Sequence, residues 1–124
     1  MNYKLHFEKY EIYHLAVGLS LDIYSLINNW PKEEKFGIIS QIRRASTSIG
    51  ANIAEGTSRF SEKEKARIIE IAYGSLMEVA HFLFISQKLS YISLKKLATL
   101  KQSINKIANK INAFHKKLST YKAI

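Results

Sequence analysis

The chain has 124 residues, a formal net charge of +9, no cysteine and an apolar content of 47%. The length predicts one domain over residues 1–124, and the apolar content is too high for a disordered chain. The lack of cysteine excludes disulfides and every metal site with thiolate ligands. We expect a cytoplasmic protein, because the sequence shows neither a secretory leader nor a run of about 18 apolar residues.

The first two predicted elements are helices over residues 8–29 and 33–56, separated by Pro31, the only proline. Apolar residues recur in both at steps of three or four, which predicts one buried stripe per helix. The stripes are Ile12, Ala16, Leu19, Ile23, Leu26 and Trp30, then Ile38, Ile42, Ala45, Ile49 and Ile53. In the second helix we expect a kink or loosening at Gly50 and a glycine C-cap at Gly56.

The third helix is predicted over residues 61–89, after a Ser-x-x-Glu capping box at Ser61, and the fourth over residues 93–119, with Ser93 as N-cap. Their stripes are Ile68, Ala72, Leu76, Val79 and Leu83, then Leu97, Leu100, Ile104, Ile107, Ile111, Phe114, Leu118 and Tyr121. Gly74 is expected to permit a close helix contact. Because the connections are short, sequential helices should be antiparallel neighbours. The predicted fold class is all-α, an antiparallel up-down-up-down four-helix bundle.

Two Glu-x-x-His spacings, Glu11 with His14 and Glu78 with His81, suggest the di-iron site that some four-helix bundles hold. That site also needs a carboxylate on each of the other helices, and residues 93–124 contain none. The two motifs also lie at different heights along their helices. The sequence has no glycine-rich phosphate loop and no serine nucleophile motif. We therefore predict a protein that is not an enzyme, with no catalytic residue, metal or cofactor.

A polar stripe runs beside the apolar stripe of the second helix, at steps of three and four residues. Its members are Gln41, Arg44, Ser48, Asn52 and Glu55. The stripe is either a solvated face or a hydrogen-bonded seam, within the fold or between subunits. Serine and asparagine favour the seam, because they are poor helix formers that gain nothing on a merely exposed face.

The positive charge is concentrated at the end of the sequence, where residues 93–124 hold eight lysines and no acid. Such asymmetry indicates a polyanionic partner, and phosphates of RNA or DNA are the expected one. The candidate nucleic-acid-binding residues are Arg43, Lys95, Lys96, Lys101, Lys106, Lys110, Lys116 and Lys117. The alternative is a solvated face that serves only solubility. No recognition-helix or RNA-binding motif is present, so binding should be independent of base sequence.

Several motifs follow one another in order over residues 8–92. They include Trp30-Pro31-Lys32-Glu33-Glu34-Lys35-Phe36-Gly37, Gln41-Ile42-Arg43-Arg44-Ala45, Asn52-Ile53-Ala54-Glu55-Gly56 and Ile71-Ala72-Tyr73-Gly74-Ser75-Leu76. With them the chain resembles the four-helix-bundle proteins encoded in 23S rRNA intervening sequences. The fourth helix matches this family only in character. The resemblance implies the same up-down-up-down bundle.

The resemblance also implies a homopentamer, a ring with a central channel. The accessory variability protein of diversity-generating retroelements is similar, works with a reverse transcriptase and binds nucleic acid through basic surfaces. Arg44, Asn52, Glu55 and Glu78 match characteristic polar positions of the family, which the resemblance assigns to structure and assembly. This chain has Gly50 where the family often has proline.

Two functions are compatible with these features. The leading expectation is a non-enzymatic oligomer that binds RNA or DNA non-specifically through lysine-rich surfaces, as a scaffold for a complex that includes another protein. The alternative is a structural or protein-interaction module without nucleic-acid binding. No membrane partner is expected.

Overall fold

The computed structural model describes residues 4–122, with side chains described through residue 118. Four α-helices dominate it, and no strand occurs among these residues. The helices are α1 (Glu11–Ile27), α2 (Ile38–Thr57), α3 (Glu62–Lys88) and α4 (Leu94–Lys122), and 3-10 turns at His6–Lys9 and Lys32–Glu34 precede α1 and α2. The predicted all-α fold class is confirmed.

The predicted starts of the first two helices are too early. Residues 8–10 belong to the first 3-10 turn and to Tyr10, whose extended backbone (φ −94°, ψ 124°) precedes α1. Similarly, α2 begins at Ile38 and not at residue 33, because Gly37 has φ −105° and ψ −119°, outside the helical region. The connection after Pro31 is therefore a turn that changes direction before α2 starts.

The tertiary contacts fit antiparallel packing of sequential helices. Gly50, late in α2, lies near Tyr13, early in α1, and Gly56 near the end of α2 lies against Ile68 near the start of α3. His115, late in α4, bonds Glu70, early in α3. The first and last helices also touch along the bundle, so the four helices enclose one core.

The buried core contains nearly every predicted stripe residue. Ala16, Ile23, Ile42, Ile49 and Leu76 are no more than 3% exposed. Leu26 and Phe114 are only partly buried and pack against the core from its edge. Tyr121, the last residue of the predicted fourth stripe, lies outside the residues whose side chains are described. The 3.6-residue period therefore predicted the buried faces correctly.

The predicted N-caps are confirmed. The Ser61 Oγ accepts a hydrogen bond from the Glu64 backbone N–H at 3.1 Å, and the Ser93 Oγ accepts one from the Lys96 N–H at 3.0 Å. Each bond satisfies an amide that has no partner inside its own helix.

The ends of α2 and α3 differ from each other. Gly56 is not a C-cap: α2 continues to Thr57, and a Cβ at Gly56 would lie only 3.3 Å from methyl carbons of Ile68 and Ile69. Its role is the close approach of two helices. The left-handed residue is instead Ser90 (φ 66°), which ends α3 with Tyr91 N–H bonded to the Ser86 carbonyl at 2.8 Å.

Gly50 and Gly74 differ from the sequence predictions. Helix α2 is not loosened at Gly50: it is continuous there, and a Cβ would find ordinary contacts at 3.8 Å from Ala16 and Tyr13. Gly74 does not permit a close helix contact, since nothing lies within 4 Å of the place its Cβ would take. Tertiary packing keeps α2 helical at Gly50 despite the low helix propensity of glycine.

Helix α3 is long and apolar enough to cross a membrane by length and composition alone, although the sequence analysis found no such segment. In this fold Ala72, Leu76, Val79 and Leu83 of this helix are completely buried against the other helices, whereas Ile71, Met77 and Phe84 are exposed.

Candidate nucleic-acid interface

The bundle has two different ends. The two-loop end carries the α1–α2 connection (28–37) and the α3–α4 connection (89–93). The single-turn end carries the α2–α3 turn (58–61), the start of α1 and the last turns of α4. Because the helices are antiparallel, the first half of α4 lies at the two-loop end and its second half at the single-turn end.

The lysines of α4 lie around its outer surface and not in one row. Lys106 lines a cleft with Asp22 of α1, whereas the Lys101 Nζ lies 5.2 Å from the ring centroid of Phe84 on α3. Lys110 is the one half-buried member of the predicted set on α4. The exposed members are Lys95, Lys96, Lys101, Lys106, Lys116 and Lys117. Successive residues turn by about 100°, which divides these side chains between the edges facing α1 and α3.

Acids from neighbouring helices counter the charge of the second half of α4. The Lys110 Nζ lies 2.6 Å from Glu11 Oε1 on α1, and His115 Nε2 lies 2.9 Å from Glu70 Oε2 on α3. The hydrogen bond from Lys110, and then its positive charge, lowers the pKa of Glu11. The sequence has no acid on α4 itself, but α1 and α3 supply acids once the helices pack.

The single-turn end holds every ion pair between described side chains. Besides the two on α4, each pair joins residues three or four positions apart in one helix, or at its end. They are Glu55 with Arg59, Glu62 with Lys65, and Glu64 with Arg67. A hydrogen bond from Arg67, and then its charge, lowers the pKa of Glu64. Four basic side chains of this end, Arg59, Lys65, Arg67 and Lys110, therefore contact carboxylates.

The two-loop end carries basic side chains without such partners. None of them forms an ion pair with a carboxylate in the part of the chain that the structure describes. They are Lys32, Lys35, Arg43, Arg44, Lys88, Lys95, Lys96 and Lys101. Of the acids nearby, Glu34 accepts a hydrogen bond from the Tyr91 hydroxyl at 2.8 Å, which raises the pKa of Tyr91. The positive charge of this end is left facing solvent.

Exposed aromatic rings accompany these cations. The Lys35 Nζ lies 5.4 Å from the centroid of Phe36, and the Arg43 guanidinium lies 5.9 Å from that of Tyr24. Phe36 is 86% exposed and Tyr24 is 44% exposed. Cations beside accessible rings are the combination by which proteins bind single-stranded nucleic acid, with phosphates on the cations and bases on the rings.

An open cleft of about 560 Å³ lies beside the α1–α2 connection. Its apolar floor is made by buried residues, and its rim is polar or basic. The floor is Ile27, Trp30 and Ile39, and the rim is Tyr24, Asn28, Lys32, Lys35 and Arg43. Arg43, a candidate from the sequence, is the predicted residue that this cleft includes.

The polar stripe of α2 lies at the surface. Gln41, Arg44 and Glu55 are exposed, while Ser48 and Asn52 are half-buried. The Asn52 amide donates to the Ser48 carbonyl at 2.8 Å, within α2 itself. The stripe is therefore not a seam inside one chain, and a seam between subunits stays a prediction.

A family model described as 23S rRNA-intervening sequence protein matches residues 8–113. The chain belongs to this family. No curated protein matches it. A crystal structure from Bacteroides thetaiotaomicron, of a protein with unknown function from the S23 ribosomal protein family, is similar at 24% identity with a TM-score of 0.78. The match covers 85% of this chain and 95% of that one, and shows that the fold is shared.

Among the described residues of this family member, no three His, Asp or Glu side chains converge as metal ligands. Glu11 is bonded to Lys110, and His14 Nε2 lies 2.7 Å from the Glu8 carbonyl. Glu78 and His81 are exposed on α3. The two Glu-x-x-His spacings thus belong to separate surface positions.

The sequence analysis did not identify five residues of the two-loop end. Lys32, Lys35 and Phe36 could have been predicted, because they belong to a motif on which the family resemblance is based. Tyr24 and Phe84 could not, because each contacts its cation only when two helices pack together.

Proposed function

We propose that this chain is a non-enzymatic oligomeric protein that binds RNA or DNA through its basic surface without reading base sequence. The observation that carries the proposal is the set of basic side chains at the two-loop end, including Lys95, Lys96 and Lys101 of α4, that have no carboxylate partner. A cation that is not already paired can contact a phosphate and release its condensed counterion, which drives binding.

The expected binding is independent of sequence because lysines act as point charges on phosphates. Phosphate contacts fix position, whereas contacts to base edges specify sequence. The exposed side chains in the first turns of α4 include the three lysines Lys95, Lys96 and Lys101, and the sequence has no recognition-helix motif. Affinity should fall steeply with salt and differ little between unrelated sequences.

Fluorescence anisotropy with labelled RNA and DNA across a salt series tests the proposal. Replacing Lys95 and Lys96 by Gln should reduce the magnitude of the salt slope by about 1.4 on a single strand, at about 0.7 per phosphate contact. Circular dichroism should show an unchanged helix content, because both side chains are exposed.

The matched control replaces Lys63 and Lys65 by Gln at the single-turn end. It removes the same charge from an acidic neighbourhood in which Lys65 already pairs with Glu62. The slope should then change little. If the parent protein binds no nucleic acid at low salt, or if the two double variants behave alike, the interaction-module function becomes the leading one.

The oligomeric part of the proposal is a homopentamer, as the family resemblance implies. The exposed polar stripe of α2 supports it, since the side chains of Gln41 and Arg44 form no hydrogen bond within the described part of the chain and are free to contact another subunit. Light scattering should give about five times the 14.2 kDa chain mass. Arg44→Ala should lower that mass, whereas a stable parent monomer at micromolar concentration would contradict the assembly.

One observation favours the alternative function, a protein-interaction module. Val17 of α1 is 36% exposed and lines a groove with the small residues Gly50, Ala51 and Ala54 of α2, and Leu21, one turn further along α1, is 66% exposed. Apolar side chains exposed in a row are typical of a protein contact surface. If the protein is such a module, it should bind no oligonucleotide. Leu21→Glu should then lower the mass of its assembly, as measured by light scattering.

A further inference from the structure

The cleft at the two-loop end combines three features that a nucleotide requires. Its floor is apolar, with Ile27, Trp30 and Ile39 each 5–7% exposed. Its rim has Lys32, Lys35 and Arg43, and none of the residues that line it is acidic. Its volume of about 560 Å³ lies within the 300–1,000 Å³ that is usual for small-ligand sites. A cleft of this kind accepts a flat ring system that carries negative charge.

The exposed Tyr24 ring supplies a surface on which a base can stack. The Arg43 guanidinium lies 5.9 Å from the ring centroid, near the limit of about 6 Å for a cation–π contact. A cation–π contact at this distance is weak, so breaking it costs little free energy. Among the described residues, no carboxylate forms an ion pair with Arg43 and holds its side chain in another position. An arriving base can take the ring face while Arg43 turns to the phosphate, as guanidinium groups do in RNA-binding proteins.

We propose that this cleft binds one unpaired nucleotide of a single-stranded nucleic acid, with its base on Tyr24 and its phosphate among Lys32, Lys35 and Arg43. The inference rests on the proposed function and specifies the form of nucleic acid that the protein prefers. Bases of a duplex are stacked in pairs and cannot enter a cleft, whereas bases of single strands can turn out and stack on a side chain. The protein therefore binds single strands more tightly than duplexes of the same length.

The first measurement uses Tyr24→Ala and a labelled oligouridine or oligothymidine. Affinity should fall about tenfold, because stacking of a base on an aromatic ring is equivalent to a factor of roughly 5 to 150. The salt slope should not change, since no charge is removed. Tyr24→Phe keeps the ring and should bind like the parent. Phe60→Ala is the matched control, because that ring is fully exposed at the single-turn end.

The second measurement uses the intrinsic fluorescence of Trp30, the only tryptophan of the chain, which lies in the cleft floor. Saturation with the same oligomers should quench or shift its emission. The Lys95→Gln, Lys96→Gln double variant should need more oligomer but reach the same final change, since those lysines lie outside the cleft. Comparison of oligouridine with oligodeoxyuridine, which carry the same base, shows whether ribose or deoxyribose is preferred.

The outcomes separate this inference from the proposed function. Parent protein that binds oligomers while its Trp30 emission stays constant, or Tyr24→Ala protein that retains full affinity, overturns the cleft site and leaves the basic surface in place. Equal or stronger binding of duplex also overturns it. Parent protein that binds neither form at low salt overturns both proposals.

Discussion

The two ends of the bundle carry many basic side chains but use them differently. At the single-turn end Arg59, Arg67 and Lys110 each contact a carboxylate, whereas at the two-loop end Lys35, Arg43 and Lys101 lie against aromatic rings. Net charge along the sequence is therefore a poor guide to a binding surface. The pairing of each charge in the folded chain decides which cations can reach a phosphate.

The largest expected effect on stability concerns how the single-turn end is held together. We expect packing of α2 on α3 at Gly56 to matter more there than ion pairs, because a Cβ would already lie 3.3 Å from Ile68 and Ile69. Gly56→Leu should cost about 1–3 kcal/mol through overpacking, measured by denaturant unfolding. Gly74→Ala, in open space on α3, should instead stabilise by about 0.5–1 kcal/mol. Equal stability of both variants would contradict this role of Gly56.

A smaller effect should appear at the two-loop end, where Ser90 has φ 66°. A non-glycine residue in this region costs about 1–2 kcal/mol, and part of that returns when glycine replaces it. Ser90→Gly should therefore raise the free energy of unfolding by about 0.5–1 kcal/mol. Ser58→Gly is the matched control in the α2–α3 turn, where φ is −94° and no strain exists to relieve. A higher free energy of unfolding for Ser58→Gly but not for Ser90→Gly would contradict the strain assigned to Ser90.

The smallest effect concerns the acid sensitivity of the exposed ion pairs. Because Lys110 lowers the pKa of Glu11 below its ordinary 4.5, the folded state takes up a proton less readily than the unfolded state. The stabilisation is complete above pH 4.5 and disappears as the pH falls through the lower, folded pKa. Glu11→Gln should lower the melting temperature slightly at pH 7 and not at pH 2. Glu33→Gln, an acid without a basic partner at the two-loop end, should not show this difference.

Much of the fold could be predicted from the sequence. Apolar residues at steps of three and four identified the buried faces, and Ser61 and Ser93 identified two helix starts. The starts of α1 and α2 could not be predicted, since a 3-10 turn and the backbone of Gly37 depend on how the connection folds over the core. Gly56 appeared to be a cap because its closeness to Ile68 exists only once α2 and α3 pack.

The candidate site was less predictable for the same reason. The lysines of α4 could be identified from composition. The ion pair of Lys110 with Glu11 could not, because it forms only when α1 and α4 pack together. The pairing of Arg43 with Tyr24 likewise joins two helices. A one-dimensional charge count treats Lys95 and Lys110 alike, although only the second has a carboxylate within reach.

Matched removal of charge at the two ends tests whether the two-loop end is the nucleic-acid surface. One variant replaces Lys32, Lys35, Lys95 and Lys96 by Gln, and the other replaces an equal number of basic residues at the single-turn end by Gln. That second set is Arg59, Lys65, Arg67 and Lys110, each of which contacts a carboxylate. Anisotropy with one labelled single strand over a salt series should show the slope reduced by about 2.8 for the first variant, at about 0.7 per phosphate contact, and nearly unchanged for the second. Equal slopes for the two variants would contradict the claim that the two-loop end is the nucleic-acid surface.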